Sequence, residues 1–189
     1  MGEASRIGPA FMTLDDFDLK ILIALQREGR MTKLRLAQEI GLSPSPCWER
    51  LRRLEKHGFI RGFHARVDLD RLLHTSTVLV EVTLGSHYER DFERFEVAVQ
   101  AVPEIVECYA TGGGVDYLLK LIVLDIEHYQ QLIDHLLADD IGIERYFTYI
   151  VTKEVKRADG PPLRRLLEVR DAAIARKRNV IRRRRERAS

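Results

Sequence analysis

Two short helical patterns joined by only a few residues, over 32–58, constrain the fold of this chain more than any other feature. Over 32–40, Thr32 is placed to cap a helix, Leu34, Ala37 and Ile40 to face inward, and Gly41 to end it in a tight turn. The next helix begins inside Ser43-Pro44-Ser45-Pro46. A residue before proline avoids helical dihedrals, so Ser45 is the expected N-cap and Pro46 the expected first helical position. That helix runs to His57-Gly58, with Cys47, Leu51 and Leu54 inward and Trp48 at the flank. Glu49, Arg50, Arg52, Arg53 and Lys56 are spread around the remaining surface. Upstream, Leu14, Phe17, Ile21, Leu22 and Leu25 recur at helical spacing before Gly29, and Asp15, Asp16 and Asp18 suit the positive end of that helix. Three short helices and a tight turn follow.

After this module, 59–69 reads as a strand or short wing leading into a linker, and the composition turns β-branched and acidic. The pattern then predicts strands over 77–84, 104–110, 116–124 and 144–155, with helices over 89–102 and 126–138. Val78, Val80, Val82 and Leu84 alternate on one strand face. Helical stripes are marked by Phe92, Phe95 and Val99, and later by Tyr129, Leu132, Ile133, Leu136 and Leu137. This βαββαβ order is ferredoxin-like. Such a sheet carries helices on one face, so its other face, expected to include Leu79, Leu119 and Tyr149, requires a partner, and a homodimer is inferred. The fold class is therefore α+β. A helix-turn-helix domain over 13–64, a linker over 65–75 and a ferredoxin-like domain over 76–156 precede a basic, helical extension over 157–189. That extension opens with the breakers Ala158-Asp159-Gly160-Pro161-Pro162. It has a narrow seam in which Leu166, Ala173 and Val180 run beside Leu167, Ile174 and Ile181, and it contains Arg182, Arg183, Arg184 and Arg185.

The net charge of +2 conceals an uneven distribution. Residues 1–63 carry 11 basic and 8 acidic side chains, 64–156 carry 8 and 17, and 157–189 carry 12 and 4. The middle repels nucleic acid, so duplex phosphates must meet one or both ends. With 45% hydrophobic residues the chain can build a core. No stretch reaches the roughly 20 apolar residues of a membrane span, and residues 1–12 hold no apolar leader, so a cytoplasmic protein is expected. Cys47 and Cys108 are read as reduced thiols.

The third helix carries the most specific chemistry. A helix fits the major groove, and residues near its N-terminus meet base edges. Ser45 and nearby amides can hold a phosphate, Arg50 and Arg53 can reach guanine or phosphate, and Glu49 can accept from cytosine. With Thr32, Lys33, Ser43, Pro46, Cys47 and Arg52 they form the expected DNA-facing set, and double-stranded DNA is the expected partner. Solvated ion pairs with Glu49 and Glu55 are the competing role for these arginines.

Several motifs resemble those of the Lrp/AsnC family of prokaryotic regulators. They are Asp15-Asp16-Phe17-Asp18-Leu19-Lys20-Ile21-Leu22, Leu36-Ala37, the run from Leu42 through Ser43-Pro44-Ser45-Pro46-Cys47-Trp48-Glu49-Arg50-Leu51-Arg52-Arg53-Leu54-Glu55, and Gly58-Phe59-Ile60. In the second domain, Thr111-Gly112-Gly113-Gly114-Val115-Asp116-Tyr117-Leu118-Leu119 is similar to the family's loop and strand beside its amino-acid site. Phe147-Thr148-Tyr149-Ile150-Val151-Thr152-Lys153-Glu154-Val155-Lys156 is similar to the last strand of the leucine-responsive branch. The resemblance implies a winged helix-turn-helix, a RAM/ACT-like second domain, and dimers that assemble to tetramers or octamers. It also implies an amino-acid effector bound by Gly112, Gly113, Gly114, Asp116, Tyr117 and Thr148. From the residues themselves, three glycines let backbone amides approach a carboxylate and Asp116 can meet an ammonium, or the loop is only a tight connection. Gly114 departs from the family, where a polar residue is frequent, and so does the long tail.

Other chemistry is absent from the pattern. His57, His64, His74, His87, His128 and His135 show no His-x3-His pair, so no metal is expected. There is no Gly-x-Ser-x-Gly elbow, phosphate-binding Gly-Lys-Ser loop, Cys-x-x-Cys pair or His-Glu-x-x-His helix, so no catalytic residues and no cofactor beyond an effector are expected. Cys47 near a helix N-terminus raises a redox switch against a simple packing role. The rival to a ligand-sensing regulator is an architectural protein that bends or bundles DNA without sensing.

Overall fold

A computed structural model describes residues 14–158 and 160–186, with side chains as far as Lys177. The reading of residues 1–12, Asp159 of the breaker cluster, and the side chains of Val180, Ile181 and Arg182 to Arg185 lie outside the described residues. The chain divides into two compact units: the N-terminal residues to Ala65 together with the segment from Arg157 onward, and Arg66–Lys156.

In the first unit, α1 (Asp16–Arg27), α2 (Lys33–Ile40) and α3 (Pro44–Lys56) enclose Ile21, Ala24, Leu25, Leu36, Ala37, Ile40, Cys47, Leu51 and Leu54. A capping box starts α1: the Asp15 carboxylate accepts from the Phe17 and Asp18 amides while Asp18 reaches back to the Asp15 amide. Thr32 caps α2 through the Arg35 amide, and Gly41, at φ 75°, supplies the left-handed turn that ends it. Leu34 faces solvent and Leu36 takes the inward position expected of it, a phase error on a helix only eight residues long. The start of α3 also differs from expectation. Ser43 is the N-cap and Pro44 the first helical residue, with the Cys47 amide bonded to the Ser43 carbonyl. Both prolines lie in the first turn, where amide hydrogens have no intrahelical acceptor, so Pro46 forfeits no hydrogen bond.

No strand forms over 59–69; between α3 and β1 the regular structure is a 3-10 turn at Leu69–Arg71. From Pro161 the chain enters α6 (Leu163–Glu186). The Gln26 side-chain amide donates to the Pro161 carbonyl at 2.5 Å. A Cβ on Gly160 would lie 2.8 Å from that amide nitrogen, so glycine allows the approach.

The second unit is a four-stranded antiparallel sheet in the order β2-β3-β1-β4, formed by β1 (Ser76–Leu84), β2 (Ile105–Ala110), β3 (Tyr117–Val123) and β4 (Ile143–Ile150). Helices α4 (Glu89–Gln100) and α5 (Ile126–Ala138) supply the βαββαβ connections. Val78, Val80, Val82 and Leu84 are buried with Phe95, Val99, Tyr129, Ile133 and Leu136, so the helices cover the face their alternation marked. Strand β4 stops five residues before the expected end. Ile150 pairs with Val78, the Val151 amide bonds to the Thr77 carbonyl, and β1 begins at Ser76, so the ladder with β1 ends there.

The uncovered face is corrected by the register. Val80 opposes Leu119 and Thr148, which places Leu119 under the helices, where it is buried. Leu79 opposes Lys120 and Tyr149, and Glu81 opposes Leu118 and Phe147. The open face is therefore Leu79, Glu81, Leu118, Lys120, Phe147 and Tyr149, joined by Glu107 and Tyr109 of β2.

Candidate nucleic-acid interface and effector loop

On α3, the spacing 45, 49, 52, 56 places Ser45, Glu49, Arg52 and Lys56 along one outward stripe, and all four are exposed. Pro46 is exposed beside the stripe, and the Ser43 hydroxyl makes no capping bond. At the start of α2, the exposed Lys33 places its ammonium 3.2 Å from the centroid of Trp48, a cation-π contact between the two helices. Thr32 spends its hydroxyl on the cap.

Of the other members of the expected set, Arg50 and Arg53 are turned toward α1 and Cys47 into the core. Arg50 reaches Asp15 at 2.6 Å and Asp18 at 2.9 Å, and Arg53 reaches Asp18 at 2.7 Å. Asp18 is fully buried, so these arginines neutralise a carboxylate of α1 instead of projecting from α3. The Asp15 carboxyl is held below its ordinary value, chiefly by the Asp18 amide and then by Arg50, while the Arg50 guanidinium is held above its own by Asp15 and Asp18. Cys47 lies in the core, and burial pushes its thiol up, which removes both a base contact and a ready thiolate. Sequence reasoning missed the capping box and Lys56. Asp-x-x-Asp ahead of an apolar helix signalled the first, and the 4-3-4 spacing the second.

In the second unit, Gly112, Gly113 and Gly114 form an exposed connection in which added Cβ atoms would meet nothing within 4 Å. The loop therefore presents exposed backbone with no side chains of its own over these three residues. The loop is closed by Thr111, whose amide bonds to the Asp116 carbonyl at 2.8 Å and whose hydroxyl donates to the Val115 carbonyl. The Asp116 carboxylate accepts from the Leu84 amide at 2.8 Å and lies 3.1 Å from His87 Nε2. Tyr117 is in the core, 4.4 Å from Phe95 between ring centroids, and its hydroxyl donates to Glu96. Desolvation, then Glu96, raises that phenol well above its ordinary value. Thr148 lies on β4 against the Tyr129 hydroxyl. The loop glycines and Asp116 therefore sit together, with Tyr117 and Thr148 beneath the helices.

The open sheet face carries its own polar net. Tyr109 donates to Glu107 at 2.7 Å, Lys120 meets Glu107 at 2.9 Å, and Tyr149 donates to Glu81 at 3.2 Å. Tyr109, then Lys120, holds the Glu107 carboxyl below its ordinary value. Among the described residues no group of three or more His, Cys, Asp or Glu side chains is placed to hold a metal, and no helix is long and apolar enough to cross a membrane.

A helix-turn-helix with an outward basic stripe, followed by a separate βαββαβ unit with an exposed glycine loop, defines a DNA-binding transcriptional regulator with a ligand-binding domain. Residues 14–61 match the winged helix-turn-helix DNA-binding family, and residues 77–161 match the Lrp/AsnC ligand binding domain. The chain belongs to the Lrp/AsnC family of transcriptional regulators. It is 56% identical over 146 residues to the transcriptional regulatory protein DoeX of Halomonas elongata, spanning 77% of this chain and 92% of that protein. It is 42% identical over 146 residues to the leucine-responsive regulatory protein of Escherichia coli, spanning 77% and 89%. Among solved structures, a transcriptional regulator from Neisseria meningitidis in complex with L-Met superposes with a TM-score of 0.75 at 32% identity, over 82% of this chain and 99% of that one. The matched relatives are regulators and not enzymes.

Proposed function

We propose that this regulator inserts α3 into the major groove of a partly palindromic site, and that an amino acid or close derivative held at the Gly112, Gly113 and Gly114 loop shifts its affinity. The genes controlled are those of amino-acid uptake or breakdown. The observation that carries the DNA reading is the outward stripe Ser45, Glu49, Arg52 and Lys56, with Thr32, Lys33, Ser43 and Pro46 at the adjoining helix starts. Arg50, Arg53 and Cys47 act in this reading by holding α3 in place.

The effector reading is supported by the exposed, side-chain-free loop, whose backbone a carboxylate can approach closely, and by the L-Met complex of the Neisseria regulator. Asp116 takes the ammonium or positions the loop through His87 and the Leu84 amide, with Tyr117 and Thr148 as its underlying support. A homodimer formed through the face of Leu79, Leu118, Phe147 and Tyr149, assembling further to tetramers or octamers, presents two α3 helices to the two half-sites.

In vitro selection of duplexes, followed by titration of each amino acid into the purified complex with light scattering as readout, tests the proposal. A palindromic consensus whose affinity changes with one amino acid is the expected result. Binding without base preference and without response to any amino acid would replace it with the architectural role.

A further inference from the structure

Helix α6 is unusual in where it is anchored and what it carries. Its first turns sit at an apolar cleft of about 700 Å³ in the DNA-binding unit, lined by Leu19, Leu22 and Leu25 of α1 and by Phe59 and Phe63. Leu163 and Leu167 enter this cleft and are half-buried, and the bond from Gln26 to the Pro161 carbonyl fixes the chain just before them. Beyond that anchor every described side chain, 171–177, is exposed. The helix continues to Glu186, 24 residues in all, which at 1.5 Å per residue is about 36 Å, close to one turn of B-DNA. Along it run ten arginines and lysines against three acidic residues.

A cationic rod fixed at one end and exposed over 171–177 fits a polyanion. We propose that α6 is a second DNA-contacting element, an arm anchored through Leu163 and Leu167 that neutralises duplex phosphates in addition to those met by α3. This rests on the reading of the first unit as the DNA-binding unit. Self-pairing along Leu166, Val169 and Ala173 is the competing use, but it would bring two strongly cationic helices well within a Debye length of each other. Phosphates remove that repulsion, and counterion release drives the contact. Because such contacts read no base, α6 adds affinity without preference.

The test uses the full chain with Arg164→Gln, Arg176→Gln and Lys177→Gln together, on the selected duplex and on a scrambled duplex of about 30 base pairs, roughly three turns. Losing three phosphate contacts flattens the slope of log affinity against log salt by about 2.7 on both duplexes, so that roughly 40-fold less affinity is lost between about 50 and 200 mM salt. Lysine in place of Arg164 and Arg176, with Lys177 retained, restores the slope, since phosphate accepts either cation. An unchanged slope, a slope also lost in the lysine variant, or a change confined to sedimentation mass would overturn the proposal. If the parent shows no base preference while its slope still follows α6, the α3 reading fails and this one stands.

Discussion

Replacing both Arg50 and Arg53 by alanine removes the two guanidinium partners of a fully buried carboxylate, leaving Asp18 with the Asp15 amide. A hydrogen bond to a charged group contributes about 1.5–3 kcal/mol, so two lost bonds amount to about 3–6 kcal/mol. The arginine side chains are 27% and 43% exposed, and water around them screens the pairs; halving gives about 1.5–3 kcal/mol. Each 1.4 kcal/mol is about tenfold in an equilibrium constant, so amides of α1 and α3 should lose roughly 10- to 150-fold of their protection in hydrogen exchange followed by mass spectrometry. Peptides from β1 and β3 serve as the internal reference. On an Asp18→Asn background the same double substitution should cost less than about 1 kcal/mol, because no buried charge is stranded. Protection within about threefold of the parent, together with loss of base preference, would refute the reasoning and return the arginines to the groove.

Arg52→Ala should leave stability within about 0.5 kcal/mol while lowering discrimination against mutated operators by about 1–3 kcal/mol in gel-shift titrations. The Asp15 carboxyl is depressed below 3.8, so its stabilising contribution is present above that pH and is lost as the pH falls through the folded value. Protection of α1 should accordingly be insensitive to this group between about pH 7 and 5, and the deficit of Asp15→Asn relative to the parent should close below about pH 4. Phe95→Ala empties a fully buried site against Tyr117 and should cost about 3–5 kcal/mol in denaturant unfolding followed by circular dichroism of the sheet.

Periodicity located most of the elements because their burial is one-sided. Helix α5 was legible to the residue, over Ile126–Ala138, since Tyr129, Ile133 and Leu136 recur at helical spacing and Asp125 caps it through the His128 amide. β1 was legible from Val78, Val80, Val82 and Leu84. What failed depended on a partner elsewhere in the chain. The β-branched residues after Ile150 have strand propensity, but pairing stops where β1 starts. Leu119 was assigned to the wrong face because the parity of one strand relative to another is set by register, and a one-residue slip exchanges faces. The anchoring of α6 on α1 joins residues far apart in sequence, a pairing on which local pattern is silent.

The three arginines of α3 show why the candidate interface was only half legible. Arg50, Arg52 and Arg53 are chemically identical and nearly adjacent, yet successive helical positions turn by about 100°, so one direction cannot serve all three. Which of them faces solvent free of α1 is decided by Asp15 and Asp18, 32 to 35 residues away, whose capping geometry places carboxylates against Arg50 and Arg53 and leaves Arg52 outside. A buried carboxylate fixes its cations because stranding it costs more than a solvated arginine gains from a phosphate. The cap of α1 therefore fixes the azimuth of α3, and a substitution at Asp18, which touches no nucleotide, is expected to change base discrimination through the same ion pairs.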